Sequence, residues 1–201
     1  MTTLLKLGPA DHGRPITPEE ARTAHWQGGY RYEIIDGKIY VSPIPNLPHD
    51  RILRWLYRRL DRYAERHSSI INYVTSDGKV IVEDRPECTE PQPDLIAFHG
   101  FPLDLPMADV RWEDLTPVLV VEIISHDDPK KDLLRNVELY EEIPSIREYW
   151  IVDPRADPDR PSLLVYRRRG QGWQKPIRVP FGETYTTRWL PGFSLRVAPR
   201  A

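Results

Sequence analysis

The chain has 201 residues, 40% of them apolar, enough for one sizeable hydrophobic core. Its 28 basic side chains against 30 acidic ones leave a net charge of −2, which excludes a globally basic chain of the histone type but not a local basic groove. A lone cysteine, Cys88, excludes an intramolecular disulfide framework and a thiolate-based zinc site, and no apolar run approaches the roughly 20 residues of a membrane span.

The stretch from Met1 to Pro15 carries an apolar triplet around Leu4 but no signal-peptide core, so a cytoplasmic protein is expected. The 21 prolines against 11 glycines predict short, well-punctuated elements. Thr17-Pro18-Glu19-Glu20 reads as a helix start, with threonine as cap, proline at the first position and Glu20 reaching back. That helix stops before Gly28-Gly29. Tyr30 to Ile35 and Lys38 to Val41 flank Asp36-Gly37, a hairpin signal because both residues tolerate the positive φ of a type I′ turn. From Asp50 to His67 the period is helical, with Ile52, Leu56, Leu60 and Tyr63 on one stripe. Arg51, Arg54, Arg58, Arg59, Arg62 and Arg66 occupy the rest of that surface, either as a solvated face or as a phosphate-contacting one.

Ile70 to Thr75, Ser76-Asp77-Gly78 and Lys79 to Glu83 predict a second hairpin. A proline-bearing linker then leads to Asp94 and the apolar run Leu95 to Phe98. After a long loop, Pro117 to Ile124 is apolar and β-branched except at Glu122, the pattern of a strand buried on both faces. A helix from about Lys130 to Glu142 follows, with Leu133, Val137 and Tyr140 on one face, and then a strand from Arg147 to Val152. Strand, helix and strand together predict a crossover unit, and the flanking hairpins make the sheet mixed. Leu163 to Arg168, Trp173 to Val179 and Phe193 to Val197 read as further strands.

Glu122 is the misfit. A carboxylate inside a buried strand is costly unless it is paired or binds a cation. One reading is a salt bridge to an arginine. The other is a metal ligand: Asp94 opens a neighbouring strand, and the two carboxylates with the Ile123 carbonyl would make an oxygen-only site suited to Mg²⁺ or Mn²⁺. His49, just ahead of the arginine-rich helix, could contact a phosphate or cap that helix. Asp127 or Asp128, next to His126, could cap the helix that begins near Pro129. Tyr149 and Trp150 read as core, and Arg167-Arg168-Arg169 as a solvated strand end. Cys88, between Glu87 and Glu90, lacks the electropositive setting of a reactive thiol. No glycine-rich phosphate loop and no nucleophile elbow is present.

Pro93-Asp94, Val121 to Ser125, Asp132, Tyr140 and the block from Arg147 to Pro154 resemble the Uma2 family of endonucleases, also called DUF820, of the PD-(D/E)XK nuclease superfamily. Tyr32 to Gly37 resembles the family's N-terminal hairpin, and Pro43 to His49 the lead into its helix. The resemblance implies an α/β (α+β), restriction-endonuclease-like mixed sheet flanked by helices. It implies one domain, with residues 1–29 as an extension, 30–154 as the nuclease-like core and 155–201 as a β-rich C-terminal part. It also implies Mg²⁺ (or Mn²⁺) on Asp94 and Glu122, with Glu33 as an additional acidic residue. The superfamily lysine two residues after the glutamate is Ile124 here. The lysine that Uma2-like proteins supply four residues after the aspartate matching Asp132 is Asn136 here, so Lys130, Lys131 or Arg135 would have to supply positive charge. A metal-dependent endonuclease acting on nucleic acid, DNA foremost, is the leading expectation. Its rivals are a catalytically impaired nucleic-acid-binding or protein-interaction module and a purely structural subunit. A homodimer is expected to use the tail aromatics Trp173, Trp189 and Phe193.

Overall fold

The computed structural model describes residues 5–83, 85–125 and 128–199. The chain forms two compact units whose boundaries differ from the expected segments: one comprises the described residues up to Asn46 with Lys79–Gln92, the other Leu47–Gly78 and the chain from Pro93 onward.

In the first unit, β1 (Lys6–Leu7) pairs in parallel with β2 (His25–Trp26), and α1 (Pro18–Thr23) lies between them in sequence. The predicted capping box is formed. Glu20 N donates to Thr17 Oγ1 at 3.2 Å, and Thr17 N donates to Glu20 Oε2 at 2.9 Å. Strands β3 (Tyr30–Ile35) and β4 (Lys38–Pro43) make the predicted hairpin, with φ of 48° at Asp36 and 66° at Gly37. Leu7, Ile16, Ile34 and Ile39 form its small core. Burial and the Glu90 carboxylate push the Cys88 thiol up to about 11, in keeping with an unreactive cysteine.

The predicted second hairpin is not formed. Only Tyr73–Thr75 becomes a strand, β5, and it pairs with Leu95–His99, β6. Beyond Gly78 the chain leaves this unit, and Val80 and Val82 instead donate to Pro91 O and Thr89 O in the first unit. Gly78 is crowded: a Cβ there would lie 2.8 Å from Ile96 Cδ1, so the glycine reflects a close approach rather than a hairpin turn.

The second unit is built on a mixed sheet in the order β10-β9-β8-β7-β6-β5, with β11 also pairing with β9. Here β7 is Thr116–Ile123, β8 Glu148–Asp153, β9 Ser162–Arg169, β10 Gly172–Trp173 and β11 Ile177–Val179. Strands β7 and β8 are parallel neighbours, as a crossover requires, and the other pairs are antiparallel. α2 (Leu47–Ala64) covers one face with Ile52, Leu56, Leu60 and Tyr63 buried as predicted. It starts three residues early because Pro48 suits a first helical turn. No helix among the described residues is long and apolar enough to cross a membrane.

The tail fills the same core. β12 (Thr184–Thr186) pairs with β13 (Ser194–Arg196), and Phe193 meets Tyr63 and Trp150 edge-on or tilted at 5.4 and 5.8 Å. Trp189 packs against that core, and Trp173 donates its Nε1 proton to Val137 O at 2.9 Å beneath the Arg168 guanidinium. The three aromatics on which the expected homodimer rested are thus engaged within the chain. Arg168 is not a solvated strand end. Its guanidinium lies within 2.9–3.0 Å of the carbonyls of Tyr140, Glu141 and Ile143, closing the end of the helix Asn136–Glu141.

A buried carboxylate secures the tail. Glu148 accepts from Trp150 Nε1 at 2.7 Å, from Tyr185 OH at 3.0 Å and from Thr187 Oγ1. Burial nevertheless raises its pKa above 4.5, the donors offsetting only part of that cost. The native state therefore binds a proton more readily than the unfolded chain, and Glu148 loses stability as pH climbs from 4.5 through its raised native value. Glu148→Ala, which orphans these donors, is expected to cost about 2–4 kcal/mol in denaturant melts. Glu148→Gln should lose less and should flatten the decline in melting temperature above pH 4.5. An equal loss in both variants would contradict the assignment.

Candidate metal and catalytic site

The register of β6 and β7 pairs Leu95 with Val121, so one step outward places Asp94 opposite Glu122 on the same face of the sheet. Both carboxylates are buried, and the backbone ties each to the other's strand: Ile123 N donates to Asp94 Oδ2 at 2.7 Å, and Asp94 N donates to Glu122 Oε2 at 3.2 Å. In an extended strand the Ile123 carbonyl faces the same edge as its N–H.

The crossover helix supplies the remaining partners. It begins with Asp128 Oδ1 accepting from Lys131 N at 3.3 Å, widens into a π turn over Lys131–Arg135 and continues as α3 (Asn136–Glu141). His126 and Asp127 lie outside the described residues. The buried stripe is Asp132, Asn136, Leu139 and Tyr140 rather than the expected Leu133, Val137 and Tyr140. The polar members turn inward because Glu122 is there to receive them. Asn136 Nδ2 donates to Glu122 Oε1 at 2.9 Å and to Asp132 Oδ1 at 3.2 Å, and Tyr140 OH donates to Glu122 Oε1 at 3.0 Å. Tyr149, core as predicted, donates its hydroxyl to Asp132 O at 3.0 Å. Burial, then the Glu122, Asp132 and Asp94 charges, holds its pKa well above 10, so it is a neutral donor and not a base.

His49 lies inside α2 and so does not cap it. From the first turn of α2 its Nε2 reaches Asp94 Oδ2 at 3.0 Å. An ionised carboxylate only accepts, so this contact puts the proton on Nε2. Of the other expected nucleic-acid contacts, Arg51 is ion-paired to Asp159 at 2.5 Å, Arg58 is exposed on the outside of α2, and Lys130 is exposed at the start of the crossover helix. Lys131 is half-buried there, and Arg135 Nε donates to Asn136 Oδ1 at 3.0 Å. Glu33 belongs to the first unit, where its Oε1 accepts from Gln92 N at 3.2 Å. Sequence reasoning missed the roles of His49, Tyr140 and Glu148.

Two carboxylates and a carbonyl are hard oxygen donors, and a hydrogen-bonded pair of carboxylates fits a divalent ion that completes its shell with water and phosphate. Among the described residues no group of three or more His, Cys, Asp or Glu side chains is placed to hold an ion.

Over residues 20–198 the sequence matches the Uma2 family, described as "Putative restriction endonuclease". The fold is similar to a crystal structure from Anabaena variabilis ATCC 29413, titled as "a putative nuclease belonging to DUF820". The TM-score is 0.69 at 17% identity, covering 92% of this chain and 96% of that one. No curated protein matches.

Proposed function

The chain belongs to the Uma2 family, and from that premise we propose that it is a divalent-metal-dependent endonuclease of the cytoplasm that hydrolyses phosphodiester bonds in nucleic acid, DNA foremost. The observation that carries the reading is the juxtaposition of Asp94 and Glu122, each fixed by an N–H from the other's strand. Asp94, Glu122 and the Ile123 carbonyl would hold Mg²⁺ or Mn²⁺. A divalent ion held there would supply Lewis-acid polarisation of a phosphate oxygen and a more acidic water.

The chain's own side chains orient the ligands. His49 Nε2–H and Ile123 N–H hold Asp94 Oδ2, while Asn136 and Tyr140 hold Glu122 Oε1. Those two oxygens each accept two hydrogen bonds, so a cation would be taken by Asp94 Oδ1 and Glu122 Oε2. Arg135, bonded to Asn136 Oδ1, brings permanent positive charge toward the site without being able to accept a proton.

Metal binding is tested by thermal melts. At a hundredfold excess over Kd, Mg²⁺ or Mn²⁺ should stabilise the protein by about 2.7 kcal/mol, a shift of several degrees. A melt unmoved by millimolar metal would sink the site.

The second reading, a nucleic-acid-binding or protein-interaction module with impaired chemistry, is favoured by one observation. The helix position expected to carry a lysine holds Asn136, a neutral donor. Nicking of supercoiled plasmid in Mg²⁺ or Mn²⁺ separates the two readings: relaxed product supports the enzyme, and binding without product supports the module.

A further inference from the structure

The outer surface of α2 is unused by the site just described. Arg51, Arg54, Arg58 and Arg62 recur at three- and four-residue steps, a stripe of about 16 Å along one side of the helix. With Arg59 and Trp55 they line a groove of about 610 Å³ in which Asp50 is the single carboxylate among the lining residues. Arg51 is paired with Asp159, but no ion pair among the described residues involves Arg54, Arg58, Arg59 or Arg62. Trp55 is 8% exposed, and its Nε1 has no hydrogen-bond partner among the described residues. Four exposed guanidinium groups lining one groove, with Asp50 as the single carboxylate among its lining residues, call for an anionic partner.

We propose that this groove binds the phosphate backbone of a nucleic acid. Guanidinium forks match phosphate oxygens two at a time, and a stripe of about 16 Å spans roughly three successive phosphates of one strand. Side chains two apart on a helix point to opposite sides, so the stripe lies on the far side of α2 from His49 and Asp94 and is a surface separate from the carboxylates. The groove itself is independent of the nuclease reading; only the choice of a nucleic acid over another polyanion rests on it.

Fluorescence anisotropy with a short labelled duplex in EDTA reads binding without cleavage. The double variant Arg54→Glu/Arg58→Glu should bind more than tenfold more weakly, and the slope of log K against log salt should fall by about 2 units. Arg54→Lys/Arg58→Lys should keep the salt slope. Both arginines are exposed, and an Arg58→Ala/Arg62→Ala pair serves if the charge-reversed protein fails to fold. Equal affinity of natural and charge-reversed protein overturns the groove and leaves the nuclease reading standing. Binding through the groove with no cutting in Mg²⁺ or Mn²⁺ leaves the groove and sinks the nuclease. Binding to phosphatidylserine vesicles in place of the duplex overturns the assignment to nucleic acid.

Discussion

Replacing Asp94 with asparagine is expected to lower Mg²⁺-dependent cleavage by about a thousandfold or more, several kcal/mol of transition-state stabilisation, while the protein stays folded. The substitution is nearly isosteric. The amide oxygen can take the place of Asp94 Oδ2 and still accept from both Ile123 N–H and His49 Nε2–H. What is lost is the negative charge that a hard divalent cation requires. The Mg²⁺-induced rise in melting temperature should vanish with the activity, because both depend on the same carboxylate. Cleavage that survives in Asp94→Asn, or a metal-induced shift that persists without cleavage, would remove Asp94 from the site.

That Asp94 and Glu122 stood out in the sequence follows from polarity. Each interrupts or borders a run of β-branched and aromatic residues that can only be a buried strand, and a charge there needs a reason. The α2 stripe and the Asp36-Gly37 turn were legible for equally local reasons, helical period and positive φ. Glu148 carried the same signal as Glu122, a carboxylate within an apolar strand, and could have been found by it; the structure shows it facing Tyr185 and Thr187 instead of Asp94. His49 was not legible in its real role, because 45 residues separate it from Asp94 and only the packing of α2 on the sheet brings them together. The inward stripe Asp132, Asn136 and Tyr140 keeps a four-residue spacing, but polar residues at that spacing read as a solvent face until Glu122 is known to lie opposite. Arg168 looked solvated for a similar reason: its partners are carbonyls at the end of α3, which composition does not reveal.

Asn136→Lys is expected to raise plasmid cleavage in Mg²⁺ about tenfold or more. The amide nitrogen already lies 2.9 Å from Glu122 Oε1 and 3.2 Å from Asp132 Oδ1, so an ammonium there would sit against two carboxylates and beside the reacting phosphate of the proposed mechanism. Those two acids offset the cost of burying the cation. The longer side chain would overpack a position with 0% exposure, at a stability cost of about 1–3 kcal/mol. A fixed positive charge stabilises the negative charge that develops on phosphate and attacking oxygen, which an amide does only weakly. Asn136→Ala should cost less than tenfold, because Tyr140 still holds Glu122 Oε1. Arg135, which now bonds Asn136 Oδ1, is half-buried and can turn to water in either variant. If Asn136→Lys cuts no faster while Lys130→Ala or Lys131→Ala abolishes the natural activity, the catalytic cation comes from the start of the helix, and Asn136 serves only to position Glu122.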